Sequence, residues 1–280
     1  MEIGGLKVER ATPRVPEREP PILFLHGMWG GSWMWDNYLG FFAGRGYTCY
    51  ALNLRGHHGS KPVADIGRVP FADYVADARG VVAALGNPIL VGHSMGGLLV
   101  QKLAEGLTPP AVVALTPAAP RGIFPLCTLE LARLSLKHLD EFLLRRPITP
   151  TQAEADALLF GRIPPAERPQ AFERLVPESG RKAFDVAVAG VPGDARRVRS
   201  PMLVGAGRED RLTPAKMVRK IAQKYGAELR VYDGHAHMVL VEPGWEAIAR
   251  DIATWLDGTR LSQATHGGTV LTDPATKEIR

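Results

Sequence analysis

Cysteine is scarce, with two residues, Cys49 and Cys127, in a chain of 280. Far apart, and with Cys49 inside an apolar run, they fit unpaired thiols in a reducing compartment and exclude a disulfide framework. Neither has the close-set partners of a metal ligand. Long hydrophobic runs are missing too, since no stretch reaches the roughly 18 apolar residues a membrane helix needs. The opening Met1-Glu2-Ile3-Gly4-Gly5 and the residues up to Arg10 carry early acids and no sustained apolar run. A soluble, cytoplasmic chain without membrane insertion is therefore expected. Charge of one sign is not concentrated either: 34 basic and 29 acidic residues are interspersed, and the densest clusters are Arg145-Arg146 and Arg196-Arg197-x-Arg199. That distribution describes a solvated surface and argues against a nucleic-acid partner despite the net charge of +5.

What the chain does have is enough apolar residue, 45%, to bury one substantial core with room for a small inserted subdomain. Ile22-Leu23-Phe24-Leu25, Tyr47 to Leu54, Pro88 to Val91, Ala111 to Leu115, Pro201 to Val204 and Leu229 to Tyr232 read as strands, several wholly apolar as in a sheet covered on both faces. Between them stand amphipathic helical patterns, such as Trp35, Tyr38, Leu39 and Phe42, or Phe71, Tyr74, Val75, Ala78 and Val82. Alternation of this kind implies a parallel sheet whose ligands lie outside the carboxyl ends of the strands. From Arg121 to about Asp194 strand runs vanish, and prolines cut leucine-rich segments into short pieces predicted to be helical. Thr213 and Pro214 predict a helix start, N-cap then first turn, and Gly226 its end; a last helix is expected to stop at Gly258.

The loops after the strands carry the chemistry. Gly92-His93-Ser94-Met95-Gly96 joins a strand to a helix and places a serine on a strained turn where strand and helix nearly touch. His26-Gly27-Met28-Trp29-Gly30-Gly31 can aim backbone N–H groups at a ligand. Asp210 follows Gly207, and His237 precedes Glu242. The adjacent His57 and His58 lack nearby carboxylate or thiolate partners and read as a structural turn, with no metal site implied.

Together, His26-Gly27-x-x-Gly30, Gly92-x-Ser94-x-Gly96, Gly207-x-x-Asp210-x-x-x-Pro214 and His237-x-x-x-x-Glu242 make the chain resemble the α/β-hydrolase superfamily from about residue 22 to 258. The resemblance implies an α/β-hydrolase core at 1–120 and 196–258 and a helical cap at 121–195 covering Ser94 and setting substrate choice; the polar residues at 259–280 are expected to form a flexible tail. It also implies Ser94 as nucleophile, His237 as base, Asp210 as its acid partner, and the N–H groups of Met28 and Met95 as the oxyanion hole, with no metal or organic cofactor. His93 reads as a packed neighbour. Trp29, Phe124 and Phe142 are candidates for an apolar substrate site. The expected reaction is hydrolysis of a small-molecule carboxylic ester, lactones included. Carbon–carbon bond hydrolysis of a diketone-like acid and a non-catalytic ligand receptor are the alternatives. The oligomeric state is left open.

Overall fold

The computed structural model describes residues 1–123 and 129–266, so Phe124 and Cys127 lie outside the described residues. The strands of the first half are β1 (Glu2–Ile3), β2 (Leu6–Ala11), β3 (Arg18–Leu25), β4 (Tyr47–Leu52), β5 (Ile89–His93) and β6 (Val112–Leu115). Those of the second half are β7 (Pro147–Ile148), β8 (Glu178–Ser179), β9 (Met202–Gly207) and β10 (Glu228–Tyr232). Eight of them form one sheet in the order β1-β2-β4-β3-β5-β6-β9-β10. Pairing is parallel from β4 to β10, whereas β1 and β2 run antiparallel at one end. The edge strand is β1, because Glu2–Ile3 folds back onto Leu6–Lys7.

Before the insertion stand the helices α1 (Asp36–Ala43), α2 (Phe71–Ala84) and α3 (Met95–Ala104). Within it are α4 (Leu129–Lys137), α5 (Leu139–Leu144), α6 (Gln152–Leu158), α7 (Arg168–Glu173) and α8 (Gly180–Phe184), and after it α9 (Ala215–Tyr225) and α10 (Trp245–His266). Alternate residues of the apolar strands serve opposite faces. Ile22 and Phe24 pack with Trp35, Tyr38 and Phe42 beside α1 and with Ile248 and Ile252 of α10. Leu23 and Leu25 pack with Tyr74 of α2, Leu98 of α3 and Ile221 of α9. Trp35, Tyr38 and Phe24 are fully buried, each contributing about 2–3 kcal/mol by leaving water. Cys49 sits in the same core, where burial pushes its thiol up to about 12.

Two sequence expectations need correction. The inserted segment is not all helical, since β7 and β8 pair antiparallel, Pro147 against Ser179 and Ile148 against Glu178. Strands of two residues leave no alternation to read. The last helix does not stop at Gly258 but continues to His266. No proline follows that glycine before Pro274, and a helix tolerates an interior Gly at about 1 kcal/mol. No helix among the described residues is long and apolar enough to cross a membrane.

Candidate active site

Every chemistry-bearing loop leaves the carboxyl end of a parallel strand: His26 follows β3, Ser94 follows β5, Asp210 follows β9 and His237 follows β10. At the β5–α3 junction the backbone of Ser94 has φ 53° and ψ −116°, a strained region for a non-glycine residue. That turn brings Gly92 so near Gly96 that a Cβ on Gly92 would collide with the Gly96 carbonyl, and a Cβ on Gly96 would collide with that of Leu25. Hydrogen bonds hold the turn, from Ser94 N–H to the Leu115 carbonyl at 3.0 Å and from Ala118 N–H to the Ser94 carbonyl at 2.9 Å.

His237 is 1% exposed, and its Nδ1 lies 2.8 Å from Asp210 Oδ2. An ionised carboxylate only accepts, so Nδ1 carries the hydrogen and Nε2 keeps the lone pair a base requires. Asp210 is saturated with donors. Its Oδ1 accepts from Leu212 N–H at 2.8 Å and Thr213 N–H at 2.9 Å, and its Oδ2 accepts the Thr213 hydroxyl at 2.6 Å as well as His237. Burial works to raise the Asp210 carboxyl, but His237 and then Thr213 outweigh it and hold the group below its ordinary value.

Glu242 braces the loop around the imidazole. Its carboxylate accepts N–H groups from both sides of His237, Ala236 at 2.8 Å and Met238 at 3.0 Å. His93 is, as expected, a packed neighbour: its Nε2 donates to the His237 carbonyl at 3.0 Å, tying the serine loop to the histidine loop. Burial, and secondly His237, pull its imidazole down to about 3, so it is neutral there. The sequence neighbours His235 and Glu209 are engaged elsewhere. His235 Nδ1 faces Glu242 at 3.2 Å, and Glu209 is exposed and bonded to Arg162 at 2.7 Å.

Ser94, His237, Met28, Met95, Trp29 and Phe142 line one cavity of about 120 Å³, while Asp210 sits behind His237 outside the lining. Trp29 both lines it and reaches the insertion, its indole N–H donating to the Ile148 carbonyl at 3.0 Å. Leu134, Ser135, His138 and Leu159 of the inserted segment also line it. Among the described residues, the lining contains no arginine or lysine.

Thr213 was expected to cap α9, yet Pro214 holds that position. The threonine hydroxyl instead lies between Asp210 Oδ2 and the Thr116 carbonyl, 3.0 Å away. Asp210 followed at the second and third positions by amides it can accept is a local turn signal, and a hydroxyl at the third position was the clue to this role. Replacing Thr213 by Val is expected to lower kcat about 10- to 100-fold through loss of a charge-assisted hydrogen bond. Steady-state kinetics check it, with Thr213→Ser restoring most of the rate.

The sequence pattern of the alpha/beta hydrolase family matches residues 22–250, most of the chain. This protein is a member of that family. A non-heme haloperoxidase from Rhodococcus erythropolis is 45% identical over 80 residues, which is 28% of this chain and 28% of that relative. The chain thus spans under a third of that relative's length. Among solved structures, a monoacylglycerol lipase from Paleococcus ferrophilus superposes with TM-score 0.67 at 24% identity, covering 92% of this chain and all of that one. An esterase from Exiguobacterium antarcticum does so with TM-score 0.69 at 18% identity, covering 90% of this chain and 95% of its own. At these identities the likeness is one of fold.

Proposed function

We propose that the protein is a serine hydrolase cleaving neutral, apolar carboxylic esters, lactones included, through an acyl-enzyme on Ser94. The observation that carries this reading is His237, backed by Asp210, lining the same apolar cavity as Ser94. In this scheme His237 Nε2 takes the Ser94 proton as Oγ attacks the ester carbonyl, and Asp210 stabilises the imidazolium that forms. The N–H groups of Met28 and Met95 receive the developing oxyanion, each worth about 3 kcal/mol in comparable sites. The imidazolium then protonates the leaving alcohol. Water attacks the acyl-enzyme by the same route and releases the acid.

The lining supports an ester over a diketone-like acid. A substrate carboxylate entering a dry cavity needs a cation, and none of the described lining residues is Arg or Lys. It also weighs against a peroxide co-substrate such as the haloperoxidase relative's name suggests. Met28, Met34, Met95, Met217 and Met238, five of the chain's seven methionines, line the cavity and would be open to conversion to sulfoxide. Their flexible thioethers suit varied apolar acyl groups, and the inserted segment, which supplies much of the wall, is assigned the choice among them.

The test is a panel of p-nitrophenyl esters, lactones and diketone-like acids. Turnover of neutral esters above charged acids is expected. Preference for the acids would favour carbon–carbon cleavage, and tight binding with negligible turnover would favour a receptor.

A further inference from the structure

A second cluster of ionisable side chains, used by no step above, is buried where the inserted segment meets the core. Glu178 of β8 and Lys182 of α8 are both fully buried, and so is His57. The Glu178 carboxylate is ion-paired with Lys182 and accepts from Tyr74 OH at 3.0 Å and from Ser179 N–H at 2.8 Å. His57 Nε2 lies 3.2 Å from Glu178 Oε2, and His57 Nδ1 lies 2.8 Å from the Arg55 carbonyl. Burial would raise the Glu178 carboxyl, but Lys182 and His57 hold it well below its ordinary value. Both His57 nitrogens therefore face acceptors, and the ring is held in one orientation. Lys182 stands 4.4 Å from the Tyr74 ring centroid.

The His57 ring packs against that of His26, with centroids 5.1 Å apart. Leu54 N–H donates to His26 Nε2 at 3.1 Å, so the hydrogen is on Nδ1, which donates to the Gly27 carbonyl at 2.7 Å. Gly27 opens the peptide whose next N–H, that of Met28, is assigned to the oxyanion. The loop is gripped on its other side by the Trp29 indole and by Val176 N–H, which donates to the Trp29 carbonyl at 2.9 Å. A buried ion cluster is a poor source of stability, since desolvation costs several kcal/mol per ion. What it contributes is a fixed geometry.

We infer that Glu178 is a positioning residue of the inserted segment, which through His57 and His26 sets the Gly27–Met28 peptide of the oxyanion hole. The inference rests on the serine-hydrolase reading for its assay. Glu178→Gln removes the carboxylate charge that orients His57, and its amide NH2 must meet either His57 and Lys182 or Tyr74 and Ser179. For p-nitrophenyl acetate, kcat is expected to fall about tenfold or more, with KM within about threefold. The inhibition constant of phenylboronic acid, whose serine adduct places an oxygen in the same hole, should rise by the same factor. Should Glu178→Gln fail to fold, Tyr74→Phe removes one hydrogen bond and keeps the charge; about a two- to fivefold parallel change is expected there. A folded variant with wild-type kcat, or one whose kcat falls while boronate affinity stays fixed, overturns the inference. Wild-type turnover is the separate control on the ester reading, and if it fails, the boronate affinities still decide the positioning role.

Discussion

Ser94→Ala is expected to lower kcat by about 10⁴ to 10⁶, the scale on which serine triads lose activity with their nucleophile. The size follows from what no neighbour can replace. Ser94 is the hydroxyl at the strained strand-to-helix turn, and its backbone is pinned to Leu115 and Ala118. The other lining hydroxyls are differently placed: Thr213 is committed to Asp210, and Ser135 belongs to the inserted segment. The variant should fold normally, because removing one oxygen at a site 8% exposed leaves the Gly92–Gly96 contact intact. Mass spectrometry after fluorophosphonate treatment should find wild-type label on Ser94 and none on the variant. Retained turnover in the purified variant, or label on another residue, would remove Ser94 from its assigned role.

Much of this was legible because the chemistry sits on short local motifs. The glycines around Ser94, the apolar runs of β3, β5 and β6, and the helical pattern from Trp35 to Phe42 each declare a local geometry that the fold adopts. Ser94, Met28 and Trp29 meet in one cavity because each follows a strand of one parallel sheet, which the alternation already implied. The features that escaped are those whose partners are far apart in sequence. Glu178 meets Tyr74 across 104 positions and His57 across 121, and no spacing within either segment announces the contact. His57 read as part of a structural turn, and its partner carboxylate could be seen only in three dimensions. Thr213 shows a different kind of gap. A local capping rule competed with a nearby charge, and the buried Asp210 carboxylate, needing donors on both oxygens, took the hydroxyl.

We propose Asp210 and His237 over their neighbours because Asp210 is buried against His237, whereas Glu209 is exposed on Arg162 and His235 faces Glu242. Asp210→Asn is expected to reduce kcat by about 10⁴, as when a triad loses the carboxylate that holds its histidine tautomer. The mechanism is specific to the contacts here. Asp210 accepts four hydrogen bonds, and an asparagine can present only one accepting oxygen. Its NH2 must then face either the two loop amides or His237 and Thr213, so His237 loses its fixed hydrogen on Nδ1 or the loop loses its anchor. His237→Ala should be as damaging, because it removes the base itself. Glu209→Gln and His235→Ala should each keep at least a tenth of wild-type activity, a loss of about 1.4 kcal/mol or less, because Glu209 is exposed on Arg162 and His235 rests on Glu242. The same burial gives a pH signature. With its carboxyl held below 3.8 in the fold, Asp210 contributes stability that is present above that value and lost as pH falls through its folded value. Asp210→Asn should therefore show a flatter acid limb in thermal melts between about pH 5 and pH 2 than the wild type does. Kinetics on the four folded variants in the opposite order for either pair would move that role to the neighbour, Glu209 or His235.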